Sequence, residues 1–401
     1  MDFQSIKSLE QNYLMNTYKR FDIALKNGSG STLYDYEGKD YIDFSSGIGV
    51  NALGQCYKPW IEAIYKQAQT LGHTSNLFST LPAVQLGEKL CELSKMSKVF
   101  FSNSGAESNE GAIKIARKYS YERYKSKRYT IISLVNSFHG RTISTLAATG
   151  QDVFHNYFFP FTEGFKFVEA NNIKALEDAL TPDVCAVLME PIQGEGGVYP
   201  LEKEYLLAVQ ELCNKHDVLF MLDEVQTGVG RTGYFYAFQA YDLKPDVVSS
   251  SKALGGGLPF GAVLVNEKCK DVLGPGDHAT TFGANPIVCA GALELIATVG
   301  QDEFLQSVRE KGAYIVSKIE SFRESHPQSP ITGIRAQGLM IGIEVDADLA
   351  ALSRHCIEAG VLCLTAGKQT IRLLPPLNIS YDEIDLGLSR MLSVMSNSEP
   401  R

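Results

Sequence analysis

In the stretch "DVVSSSKALGGGLPFGAVLV", Asp246 to Val265, a lysine separates a short apolar run from three consecutive glycines. The run reads as a buried strand that ends near Lys252, and Gly255, Gly256 and Gly257 let the backbone pass close to a bulky group. Two readings fit an amine in this place. It is a solvated or phosphate-contacting lysine on a flexible loop, or it is a nucleophile that condenses with a carbonyl.

Other chemistry-bearing residues follow apolar runs in the same way. "KVFFSNSGAES" sets Ser104, Gly105 and Ala106 between a strand and a helix, where free N–H groups and the helix dipole attract phosphate. Ser104 and Glu107 also have the S-x-x-E spacing of a capping box, so both readings stay open. "VLFMLDEVQ" ends in Asp223 and Glu224, an acid pair that would suit the magnesium of a P-loop ATPase. That class requires G-x-x-x-x-G-K-[ST]. The Gly-Lys pairs here, Gly38-Lys39 and Gly367-Lys368, have Leu33 and Leu362 where the first glycine belongs. Gly228, Gly230 and Gly233 of "GVGRTG" match a dinucleotide fingerprint in spacing, but "DEVQT" separates them from their strand and "YFYAFQAY" makes a poor phosphate-binding helix.

One cofactor accounts for the whole set. Pyridoxal phosphate needs a lysine for its aldehyde, an acid to keep its pyridine nitrogen protonated, a phosphate cup and an apolar or aromatic face on its ring. Lys252, Asp223, Ser104-Gly105-Ala106 and Phe138 of "NSFHG" supply these roles.

Such residues need a scaffold that brings strand ends together. "KVFFSN", "YTIISLV", "CAVLMEP", "VLFMLDE", "DVVSSS" and "GAVLVN" are short and nearly continuous in apolar character, as expected of strands buried on both faces of a mostly parallel sheet. Helical patterns alternate with them. Trp60, Ile61, Ile64, Ala68 and Leu71 keep helical spacing, and "ESNEGAIKIARKYSYERYKSK" is acidic early and basic late. This predicts an α/β domain whose ligands gather at the carboxyl ends of the strands. "LMIGIEV", "GVLCLTA" and "TIRLLPPL" predict a smaller α+β domain, and "STLYDYEGKDYIDFSSG" reads as a hairpin that packs with it. The expected division is a large domain at 55–290 and a small one from 1–54 and 291–401. "ESHPQSPITG" and the tail "SNSEPR" look loose.

At 401 residues, with 37 basic and 46 acidic residues, the chain has a net charge of −9. It lacks a basic stripe, which argues against nucleic acid as a partner. The N-terminus does not have the pattern of a signal or transit peptide, and no apolar run approaches a membrane span, so a cytoplasmic location is expected. The eight cysteines read as reduced thiols, mostly in apolar surroundings, and the seven histidines lack ligand spacing, so no metal is expected.

"SKALGGGLPFGA", "EPIQGEGGV", "FMLDEVQTGVGRTG", "SNSGAESNEGAIKIAR" and "SFHGRT" resemble, in the same order, the blocks of class III (subgroup II) pyridoxal-phosphate aminotransferases. The resemblance runs from Asn16 to "RLLPPL" at Arg372. Within the class, "HTSNLF" and "RLLPPLNIS" are similar to acetylornithine aminotransferases. It implies an aspartate-aminotransferase-like (fold type I) homodimer that moves the terminal amino group of N-acetylornithine to 2-oxoglutarate. Ornithine, 4-aminobutyrate and succinyldiaminopimelate are the alternative donors; another reaction on the scaffold, or a non-catalytic protein, are the remaining readings. By resemblance, Lys252 carries the cofactor, Asp223 pairs with its pyridinium, and Ser104, Gly105 and Ala106 hold the phosphate with Thr281 from a second subunit. Phe138 and Val225 cover the ring faces and Gln226 lies near its hydroxyl. Arg372 and Arg141 bind substrate carboxylates, Thr280 is a further substrate-binding residue, and Glu195 neutralises Arg372 while the amine donor is bound. Read singly, either arginine could be a surface ion pair and Glu195 the lining of a glycine turn. Gln55 and Tyr57 stand where relatives commonly have histidines.

Overall fold

The computed structural model describes residues 2–396 of the chain. Of the tail expected to be loose, Ser396 ends the helix Tyr381–Ser396 and 397–401 lies outside the described residues. Seven strands form the central sheet in the order Lys98–Ser102, Gly261–Val265, Val247–Ser250, Leu219–Asp223, Val184–Met189, Thr130–Leu134 and Phe165–Val168. Thr130–Leu134, Val184–Met189, Leu219–Asp223, Val247–Ser250 and Gly261–Val265 are buried at every position. That is the consequence of covering a sheet on both faces, and it explains their unbroken apolar character.

The sheet is parallel except for Gly261–Val265, which runs antiparallel to both neighbours. The ten residues 251–260 that lead into it are too few for a parallel crossover. Lys252 sits in this short return, two residues past Val247–Ser250. Because Asp223 pairs with Ser249, two strand ends lie side by side there. Phe165–Val168, absent from the apolar-run prediction, is a partly exposed edge strand of four residues.

Thr32–Asp35 and Asp40–Asp43 form the expected hairpin, turned by Gly38 at φ 87°. The Asp35 carboxylate fixes that turn by accepting the N–H groups of Glu37 and Lys39, each at 2.9 Å. Asp40–Asp43 pairs in parallel with Val361–Leu362, so N-terminal and C-terminal segments share one four-stranded sheet. A further sheet has the order Ile331–Gln337, Met340–Val345, Thr370–Leu373 and Leu364–Ala366. "GVLCLTA" therefore divides at Cys363 between two sheets. "ESHPQSPITG" is loose only at 326–330, since the helix Asp302–Ser325 enters it and buried Ile331 begins a strand paired to Val345.

The helix Pro286–Val299 packs on Lys58–Thr70 and Leu81–Ser94. Gly291 permits that approach, because a Cβ there would lie 2.8 Å from both Trp60 Nε1 and Ile64 Cγ2. Six cysteines are buried free thiols, Cys91 is partly buried and Cys56 is exposed.

Candidate active site

Lys252 has φ 45°, the left-handed region, which costs a non-glycine residue about 1–2 kcal/mol. Such strain is concentrated at functional sites. The bulky group beside the following glycines is Trp60, whose Nε1 would lie 2.6 Å from a Cβ at Gly256. Burial pushes the Lys252 amine down to about 8, with Glu195 opposing that shift, Arg372 adding to it, and Asp223 and Glu190 opposing it further. Burial thus outweighs the three carboxylates, and the amine keeps a usable neutral fraction near neutral pH.

Asp223 is 3% exposed at the end of its strand. Its Oδ2 accepts from Asn109 Nδ2 at 2.7 Å and from His139 Nδ1 at 2.8 Å, and its Oδ1 accepts from the Val225 N–H at 3.0 Å. A carboxylate can only accept, so His139 carries its proton on Nδ1. Asn109 is locked in turn: its Oδ1 accepts from Ser249 Oγ at 2.6 Å, and its Nδ2 also donates to His139 O at 2.8 Å. Glu224, the other acid of the pair, serves the scaffold. It accepts from Thr227 Oγ1 and from the N–H groups of Ala237 and Phe238, and burial pushes its carboxyl up to about 7.

Ser104 caps the helix Gly105–Tyr124, its Oγ accepting the Glu107 N–H at 3.2 Å. The reciprocal half of the capping box is missing, because Glu107 Oε2 instead accepts the N–H of Asn103 at 2.7 Å and its Nδ2 at 2.8 Å. Capping by Ser104 leaves the first-turn N–H groups of Gly105 and Ala106 without intrahelical acceptors. A Cβ at Gly105 would lie 2.6 Å from Val225 Cγ1, so a side chain there would collide with the residue expected to cover the ring. Thr280 Oγ1 accepts from Asn103 Nδ2 at 2.8 Å, and Thr281 is exposed on the same loop.

Opposite this floor, Arg372 Nη1 donates to Glu195 Oε1 at 2.7 Å and to Gln226 Oε1 at 3.0 Å, while Gln226 Nε2 donates to Glu195 Oε1 at 3.1 Å. Burial raises the Glu195 carboxyl, but Arg372 and then Lys252 outweigh it and hold the group below the usual carboxylate range. Arg372 Nε is buried with no hydrogen-bond partner among the described residues. Phe138 is partly buried, and the exposed Arg141 lies 5.5 Å from its ring and 3.9 Å from that of Phe154. Gln55 and Tyr57 are engaged away from these groups, in a backbone bridge to Gly30 and a 3.1 Å hydroxyl contact to Thr298.

The structure therefore gathers Lys252, Asp223, Glu195, Gln226 and Arg372, places Gly105 against Val225, and leaves Thr281 outward. Sequence reasoning missed Asn109, His139, Ser249 and Glu190. Glu190 accepts the N–H groups of Phe138 at 3.0 Å and Gly194 at 3.2 Å, and burial, with Asp223 nearby, pushes its carboxyl well above the ordinary range. A signal was present for His139, which adjoins Phe138 in "SFHG". A strained amine of lowered basicity, a triply bonded carboxylate and a glycine-opened helix start fit the cofactor that the sequence suggests.

The family model for Aminotransferase class-III matches residues 13–395. Acetylornithine aminotransferase of Haemophilus ducreyi is 48% identical over 99% of this chain and 100% of its own length, and that of Caldanaerobacter subterraneus is 45% identical over 96% and 98%. Among solved structures, ornithine aminotransferase from Toxoplasma gondii superposes with a TM-score of 0.94 at 31% identity, covering 98% of this chain and 95% of its own. N-acetylornithine aminotransferase from Stenotrophomonas maltophilia superposes with a TM-score of 0.83 at 33% identity, covering 96% and 97%. With a matching family model over nearly its whole length and relatives aligned from end to end, this chain belongs to the class-III aminotransferases.

Proposed function

We propose that this aminotransferase moves the terminal amino group of N-acetylornithine to 2-oxoglutarate, giving N-acetylglutamate 5-semialdehyde and glutamate, a step of arginine biosynthesis. The observation that carries this reading is the Arg372–Glu195 pair. A donor with an uncharged acetylated stem and a diacid acceptor must use the same cleft, and a bare arginine suits only the second. Glu195 covers Arg372 for the first and releases it for the second. The unpartnered Arg372 Nε gives an incoming carboxylate a further donor to engage.

The cofactor is pyridoxal 5'-phosphate, which when bound supplies an electron sink for the bond broken beside the amine. Ser104, Gly105 and Ala106 would hold its phosphate, with Thr281 of a second subunit completing the cup. Phe138 and Val225 would cover its ring, and Gln226 would lie near its hydroxyl. Asp223, oriented by Asn109 and His139, would hold the proton on the ring nitrogen. Lys252 Nζ would hold the cofactor's aldehyde and, once the substrate amine displaces it, the freed amine would accept the proton from the amine-bearing carbon of the substrate and hand it back. Arg141 receives the other substrate carboxylate, and Thr280 contributes to the substrate site.

With this reading goes a cytoplasmic homodimer whose large domain is 55–290 and whose small domain is 1–54 with 291–401, the helix Pro286–Val299 resting on the large one. Among the described residues no helix is long and apolar enough to cross a membrane. The test is glutamate formation from 2-oxoglutarate with acetylornithine, ornithine, succinyldiaminopimelate and 4-aminobutyrate as donors. Acetylornithine should give the highest kcat/KM. A higher value for ornithine, the substrate named for the Toxoplasma structural relative, would replace the donor and keep the chemistry.

A further inference from the structure

Arg372 shares its sheet face with a second arginine. Arg335 pairs with Gly342 and Gly342 pairs with Arg372, and residues directly opposite in a ladder point to the same face. The two arginines flank a position without a side chain. The turn bearing Glu195 occupies that gap, since a Cβ at Gly342 would lie 2.8 Å from Val198 Cβ and 3.3 Å from Gly197 O.

Arg372 grips this turn by the Glu195 carboxylate. Arg335 grips it by backbone: its Nε donates to Val198 O at 3.1 Å and its Nη2 to Gly197 O at 3.0 Å. The rest of its fork reaches Thr370 Oγ1 at 3.0 Å, two residues before Arg372, and Glu344 Oε2 at 2.7 Å, while its plane lies 4.0 Å from the Tyr199 ring. The Gly367 N–H adds a bond to Glu195 O at 2.9 Å. A side-chain carboxylate can rotate away from its partner, whereas a backbone carbonyl leaves only if the turn moves.

We infer that Arg335 is a positioning residue for the Glu195–Arg372 pair. It fixes the turn 194–198 to the strand Thr370–Leu373, so Glu195 uncovers Arg372 by side-chain rotation while the turn stays in place. This rests on the reading of Glu195 as the group that covers Arg372.

The test uses holoenzyme of wild type, Glu195→Gln, Arg335→Met, Arg335→Lys and the double variant Glu195→Gln/Arg335→Met, with folding checked by thermal unfolding. Single-turnover rates are measured separately with acetylornithine and with glutamate. Arg335→Met should lower the acetylornithine-to-glutamate rate ratio about tenfold, the scale of lost charge-assisted hydrogen bonds, in the same sense as Glu195→Gln. Arg335→Lys, which keeps the charge and loses the fork, should restore it only in part. Amide exchange at 194–198 should quicken, and in the Glu195→Gln background the added Arg335→Met should leave the ratio where it is. A wild-type ratio in Arg335→Met, with both rates lowered together, is the mark of a merely structural role and overturns the inference while Glu195→Gln still shifts the ratio. No shift in Glu195→Gln itself removes the underlying reading and the anchor with it. If Arg335→Met does not fold, Gly342→Ala, which lifts the same turn, must lower the ratio, and a wild-type ratio there is equally fatal.

Discussion

Asp223 and Glu195 are both carboxylates acting on Lys252, and the molecule holds them in opposite ways. Around Asp223 the donors are Asn109, His139 and a backbone N–H, with Asn109 itself locked to Ser249, and the whole cluster is buried. Around Glu195 the partners are the side chains of Arg372 and Gln226, and 29% of its side chain remains exposed. A group that must keep one charge state through the cycle is fastened by several donors in the interior. A group that must let go is held side chain to side chain at the edge of the cleft. The floor should therefore serve both half-reactions alike, and the gate should distinguish them.

The largest effect expected is at the amine that both regions face. Lys252→Ala should lower turnover by more than about 10³-fold with either donor, since attachment and proton transfer use the same nitrogen. Borohydride reduction of the wild-type holoenzyme followed by peptide mapping should mark Lys252, and a label on another lysine would move the site. Asp223→Asn should cost about 10² to 10³-fold in a cofactor-saturated enzyme, the scale of losing one preorganised electrostatic partner. Turnover near wild type in that variant would break the floor assignment. Glu195→Gln should slow the acetylornithine half-reaction about 10²-fold, the lower end of the cost of a buried charge left without its partner, because Gln226 Oε1 still accepts from Arg372. His139→Leu should slow both half-reactions about tenfold, as expected for one hydrogen bond to a charged group.

The smallest effect is in the pH response of the apoprotein. Because burial lowers the Lys252 amine from its ordinary 10.5 to about 8, the neutral, reactive form grows as pH rises through that value. Its labelling by an amine-reactive reagent, read by mass spectrometry, should have its midpoint near 8. A midpoint near 10.5 would mean that the amine is not desolvated.

Much of this arrangement was legible in the sequence because its signal is local. Strands buried on both faces must be apolar throughout, so five of the central strands stood out, the edge strand Lys98–Ser102 joined them through its own apolar run, and the residues after them were the candidates for chemistry. Phe165–Val168 lies at an edge and carries no such run. Ile331–Gln337 was hidden for a related reason, since it is mostly half-exposed and begins next to a proline-containing loop. "GVLCLTA" reads as one strand because nothing in its composition marks a change of sheet at Cys363. Asn109 and His139 were illegible as partners of Asp223 because their role depends on a contact across 114 and 84 residues. Arg335 is the same case, since only ladder register shows that it shares a face with Arg372.

The difference between floor and gate is most directly tested by the ratio of the two half-reaction rates, acetylornithine against glutamate, taken from single-turnover changes in cofactor absorbance. It should stay at the wild-type value in Asp223→Asn, where both rates fall together, and should drop about 10²-fold in Glu195→Gln, where one rate falls and the other is spared or improved. Equal losses in both half-reactions of Glu195→Gln would contradict it, and would make Glu195 a residue that shapes the cleft without switching it.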